Sequence, residues 1–141
     1  MWRSPRAFSD AVNVVPSHRL PPAIHALNEA LAFFLELAML VALGAWGAKA
    51  GWSFVSSLLL ALGIPLTTAF VWGMFAAPKA RVALPVAGVV TFKMLAFGSG
   101  AAALYALGRH GLAEAFALVS FVNTAVATVD RGAAVHRGRR A

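Results

Sequence analysis

The chain has 141 residues, 60% of them hydrophobic and only 12% charged, with a mean hydropathy of +0.77. A water-soluble domain needs far more charge to cover its surface, so this composition excludes an ordinary soluble globule and leaves room for one small membrane domain. The absence of cysteine removes disulfides, thiolate metal sites, iron–sulfur clusters and cysteine nucleophiles together, and the net charge of +7 must be explained by where the cations lie.

Residues 1–24 read as a flexible cytoplasmic N-terminal extension. Arg3, Arg6, Asp10, Pro16, His18, Arg19, Pro21 and Pro22 interrupt it, and it lacks the apolar core of a secretory signal. Pro21-Pro22 ends the extension and lets a helix begin near Ala23. The membrane domain, 25–130, follows. It holds four apolar stretches, at about 27–48, 53–76, 85–107 and 112–129, each near the ~20 residues that cross a bilayer as a helix.

Lys49-Ala50-Gly51 joins the first stretch to the second, and Gly108-Arg109-His110-Gly111 joins the third to the fourth. Glycine suits helix C-caps and sharp reversals, and turns this short force sequence neighbours to lie antiparallel. The expected fold is therefore all-α: an integral membrane four-helix bundle made of two antiparallel helical hairpins. Pro65, in Gly63-Ile64-Pro65, removes an amide donor and crowds the Ala61 carbonyl, so a kink is expected in the second helix. The pairs Gly47/Gly51, Ala38/Ala42 and Gly98/Ala102 permit close helix approach. Asp130 ends the fourth span, and 131–141 form a basic cytoplasmic tail.

The cations sort by side. Arg3, Arg6, Arg19, Lys79, Arg81, Arg131, Arg137, Arg139 and Arg140 fall on one face after an even number of crossings; Lys49 and Arg109 fall on the other. The positive-inside rule places both termini in the cytoplasm. Trp46, Trp52 and Tyr105 mark the outer boundary and Trp72 the inner one; Trp52 and Trp72 are twenty residues apart, or ~30 Å of helix. The partners implied are the lipid bilayer and, for Arg131–Arg140, anionic headgroups. Topology accounts for the charge, so nucleic-acid binding is not expected.

Depth from the cytoplasmic end brings a set of polar residues into one slab. Glu36 lies ~13 Å in, Lys93 ~12 Å, Asn123 ~9 Å, and Thr67 and Thr68 ~13 Å. A charge left unpaired in lipid is costly, so Glu36 and Lys93 are expected to turn inward. Two readings stand for Lys93: pairing with Glu36, or snorkelling toward the cytoplasmic end, the direction in which its helix tilts side chains. Asn123 suits an interhelical hydrogen bond, and the threonines suit bonds to their own helix backbone. Glu29 and Glu114 read as interfacial acids. Trp72, Pro78, Lys79 and Arg81 form a candidate cytoplasmic interface motif: a boundary tryptophan, a helix stop and two cationic anchors.

His18, His25, His110 and His136 are scattered without ligand spacing, so no metal site is expected. No serine has a plausible histidine and acid set, and no glycine loop is built for phosphate. Catalytic residues and cofactors are accordingly not expected, nor is an enzyme. Two readings of function stay open. One is a non-enzymatic membrane module that assembles with itself or with a partner. The other is a small transporter or channel component using Glu36 as an intramembrane proton or cation site, with Lys93 and Asn123 lining the path.

The words Leu35-Glu36-Leu37-Ala38, Gly44-Ala45-Trp46-Gly47, Trp72-Gly73-Met74-Phe75-Ala76-Ala77-Pro78-Lys79-Ala80, Phe97-Gly98 and Leu104-Tyr105-Ala106-Leu107-Gly108 occur in this order. Together they resemble the YrdB-like family of small four-span bacterial membrane proteins, over about Leu27 to Asp130. The resemblance implies a multi-pass protein of the bacterial inner membrane and a family with no established activity. The N-terminal extension is longer than that family usually carries.

Overall fold

A computed structural model of the chain describes residues 21–76, 81–82 and 84–138, with 130–138 as backbone. The N-terminal extension as far as residue 20 lies outside the described residues. These residues form four α-helices: α1 (Pro22–Ala50), α2 (Phe54–Phe75), α3 (Val86–Ala106) and α4 (His110–Gly138). No strand occurs among them. Each helix is long and apolar enough to span a membrane, which makes this a multi-pass membrane protein.

Local chemistry sets the helix ends. Pro22 occupies the first helical position of α1, where a missing amide is harmless, and the Pro21 carbonyl accepts from the amides of Ile24 (2.9 Å) and His25 (3.1 Å). α2 opens with a reciprocal cap: the Ser56 amide donates to Ser53 Oγ (3.2 Å) and the Ser53 amide to Ser56 Oγ (2.8 Å). α3 closes with Gly108 at φ +78°. There the Gly108 amide donates to the Tyr105 carbonyl (2.9 Å) and the Arg109 amide to the Leu104 carbonyl (3.0 Å), a Schellman motif. Gly51, by contrast, is extended, at φ −70°. Its lack of a side chain matters for packing, since a Cβ there would collide with the Ser57 backbone.

α4 extends beyond the fourth span. The helix continues past Asp130 to Gly138. Arg131–Arg137 contains no proline, and Ala133 and Ala134 are strong helix formers. The membrane boundary and the helix end are thus separate events, and most of the basic tail is helical.

α1 is the hub. It packs against α2, α3 and α4; α3 also packs along α4, whereas α2 meets α3 only sparingly and has no close backbone approach to α4 among the described residues. The buried residues of α1, Leu35, Met39, Ala42, Leu43 and Gly47, recur at helical spacing and form one inward stripe. Trp72, Ala76, Phe97, Ala103 and Phe116 complete the core. Large apolar side chains such as Phe34, Leu62, Leu95 and Leu118 face outward, as they do when the solvent is lipid.

The α1–α2 contact is made backbone to backbone. A Cβ on Gly44 would lie 3.0 Å from the Ala61 carbonyl oxygen, and one on Gly47 would lie 2.6 Å from that of Leu60. Pro65 has no amide to give the Ala61 carbonyl, and α2 runs unbroken through it. The freed carbonyl is thus directed at a glycine of the neighbouring helix. On α3 the close approach falls at Gly100, against Met39 and Phe116, whereas Gly98 faces open space. The Gly98/Ala102 register is therefore displaced: the inward face of α3 carries Phe97, Gly100 and Ala103.

Candidate functional site

Three helices converge on Trp72. The Glu36 carboxyl group of α1 lies near its indole, and Lys93 of α3 attracts that carboxyl electrostatically. The indole N–H is the only polar group the tryptophan side chain has to donate. Lys93 Nζ also lies 5.5 Å from the centroid of the Trp72 ring, within cation–π range. Phe92 and Phe97 flank the same ring at 5.9 and 5.7 Å between centroids. Trp72 is buried within the bundle close to the end of α2. A nearby carboxyl group, a cation over its face and two phenyl rings surround it inside the bundle.

Lys93 is close enough to the Glu36 carboxyl group to attract it, and it also lies beside α4. It borders a small cavity of about 10 Å³ with Val86, Val89, Thr124 and Thr128. Glu36 is half-buried. One carboxyl group, one ammonium and one indole from α1, α3 and α2 are thus brought together.

Asn123 makes a second tie at a different place. It is buried, and its Nδ2 donates to the Asn28 backbone carbonyl (2.9 Å) and to Asn28 Oδ1 (2.8 Å). This joins α4 to α1. Asn28 was not among the residues expected from sequence, although a signal was present: Asn28 and Asn123 each lie six residues from the chain-terminal ends, Pro22 and Val129, of their spans. Ser120 and Thr124 were also missed. They share the buried stripe of α4 with Phe116 and Asn123, and their hydroxyls have no hydrogen-bond partner among the described residues.

The threonines of α2 do not join either group. Thr68 Oγ1 donates to the Ile64 carbonyl at 2.8 Å, the backbone role expected of it. Thr67 is exposed on the outer face of α2. Arg81 is exposed, and beside it the Val82 amide donates to the Met74 carbonyl (3.1 Å), folding the chain back beneath α2. Pro78 and Lys79 lie outside the described residues. Glu29 is exposed and bridges to His25 at 3.3 Å. No group of three His, Asp or Glu side chains converges on a metal-sized space among the described residues.

A family model described as a protein of unknown function (DUF2568) matches residues 30–121. The matched stretch encloses Glu36, Trp72 and Lys93 and leaves Asn28 and Asn123 just outside. No curated protein and no solved structure matches the chain.

Proposed function

We propose, for a chain that belongs to the DUF2568 family of proteins of unknown function, that it acts as a non-enzymatic membrane module that assembles with a second copy or with another membrane protein. The observation that carries this reading is the position of α2. It leans on α1 by one face, meets α3 only near its end through Trp72 and Phe75, and has no close backbone approach to α4 among the described residues. Leu59, Leu62, Leu66 and Phe70 are exposed on it. A shallow groove of about 350 Å³ is lined by Leu59, Gly63 and the exposed Thr67, among others. Small residues and a hydroxyl at such a surface favour helix–helix association in lipid. The buried and half-buried polar groups Glu36, Lys93 and Asn123 meanwhile join helix to helix.

In this proposal the helices form two antiparallel hairpins with both termini cytoplasmic, and the basic end rests on anionic headgroups. The resemblance to YrdB-like proteins, strongest in Trp72–Ala80, supports a bacterial inner-membrane location. The test uses the absence of native cysteine. Thr67→Cys in membranes is expected to form an oxidative dimer, or to capture a distinct protein when it carries a photoreactive label. Leu118→Cys on α4 is expected to do neither. Capture of lipid alone at position 67 would remove the proposal.

Glu36 favours the second reading, since an acid within a span and only half-buried is suited to handling a proton or cation. Proton-coupled flux in liposomes separates the two. Flux lost in a folded Glu36→Gln variant supports transport; no flux, with Glu36→Gln lowering only thermal stability, supports the module.

A further inference from the structure

At the end of the bundle where α1 meets α2 and α3 meets α4, a groove of about 870 Å³ opens between α1 and α4. Its floor is cut by small residues: Ala38, Ala42 and Ala45 on α1, and Ala115 on α4. Larger apolar side chains wall it, among them Leu35 at the deep end. From Leu35 to Lys49 it follows α1 for ~21 Å, more than the ~15 Å hydrocarbon depth of one leaflet. The volume lies within the range of pockets that enclose an organic ligand.

The groove is apolar except at its mouth, where Lys49 and Arg109 both border it. Lys49 is carried by the last turn of α1, and the Schellman motif at Gly108 sets the backbone of Arg109 directly after α3. Both side chains are exposed, and the one acid near this end, Glu114, lies outside the lining. Two cations above an alanine-floored apolar channel match one class of molecule: an amphiphile with an anionic head and an extended hydrocarbon tail. A second copy of the chain is a poor match, because a symmetric contact through this face would set Lys49 and Arg109 against their own equivalents.

We infer that this groove is a binding site for one anionic phospholipid, its phosphate held by Lys49 and Arg109 and an acyl chain laid along Ala45, Ala42 and Ala38. Under the topology proposed above, the site opens to the outer leaflet, on the opposite side from the basic chain ends. Arginine offers a forked pair of donors to phosphate and lysine a point charge, so the two together fix a headgroup at the rim.

The test is native mass spectrometry of the protein released from nanodiscs made of equal parts phosphatidylglycerol and phosphatidylcholine. Wild type is expected to retain one phosphatidylglycerol in preference to phosphatidylcholine, each cation contributing about fivefold. Lys49→Gln with Arg109→Gln brings the preference to parity, and Lys49→Arg with Arg109→Lys preserves it. Ala45→Trp, which fills the channel and keeps both cations, reduces retention of either lipid. Parity in the wild type overturns the assignment. So does a preference undiminished in the double glutamine variant, or a dimer that excludes lipid and cross-links Lys49 to Lys49.

Discussion

Glu36 faces a cost that any carboxylate within a bilayer faces, and groups able to offset it lie on two sides: the Trp72 indole of α2 and the Lys93 ammonium of α3. Removing one partner strands the other. In detergent-solubilised protein, Glu36→Ala and Lys93→Ala are each expected to destabilise by roughly 1–3 kcal/mol. The double variant should lose less than the sum of the two, and strict additivity in thermal or denaturant unfolding would show that the groups do not interact. Glu36→Gln keeps an acceptor for the Trp72 indole and is expected to be milder than Glu36→Ala. Asn123→Ala should cost about 0.6–2 kcal/mol, the range for polar contacts between membrane helices. Asn28→Ala should cost less, because the backbone carbonyl that accepts from Asn123 remains. At this scale the nearness of Glu36 and Lys93 was expected from counting along the helices. The identity of their shared partner was not: a tryptophan near a span end fits a lipid-facing anchor equally well, and only packing turns it inward.

At the scale of the helix, the α1–α2 contact rests on glycines facing carbonyls. Gly47→Ala would place a methyl group 2.6 Å from the Leu60 carbonyl oxygen, and a backbone atom cannot rotate away. The variant is expected to be destabilised by about 1–3 kcal/mol despite the better helix propensity of alanine. Gly98→Ala, in open space on α3, is expected to be neutral or to stabilise by up to about 1 kcal/mol. Melting curves of the two variants side by side check both statements; equal effects would mean that α1 and α2 separate without cost. Gly47/Gly51 was readable because it adjoins a tight turn that forces its neighbours together. Gly98/Ala102 misled because alanine and glycine are frequent throughout α3, so spacing alone does not choose between Gly98 and Gly100. The helical extension of α4 beyond its span was not legible for another reason: hydropathy reports where lipid ends, and a helix with no breaker continues beyond it.

At the scale of the whole molecule, α1 holds the other three helices and α2 stands at the edge. The proposed topology predicts that a C-terminal alkaline phosphatase fusion is inactive and a C-terminal fluorescent fusion bright; the reverse pattern would invert the protein and move the Lys49–Arg109 groove to the inner leaflet. The sequence by itself determined the number of spans, their approximate limits, the positions of the turns and the levels of the charged side chains. These follow from one-dimensional quantities: apolar length against bilayer thickness, glycine and proline between spans, and residue count along a helix. The tertiary structure alone decided which side of each helix turns inward. It buried Trp72, left Thr67 facing out, matched Asn123 with Asn28 and opened the alanine-floored groove. The physical reason is the solvent. In water an inward face announces itself by contrast with a polar outer one. In lipid both faces are apolar, so the contrast is faint and only the fit of side chains between helices makes the choice.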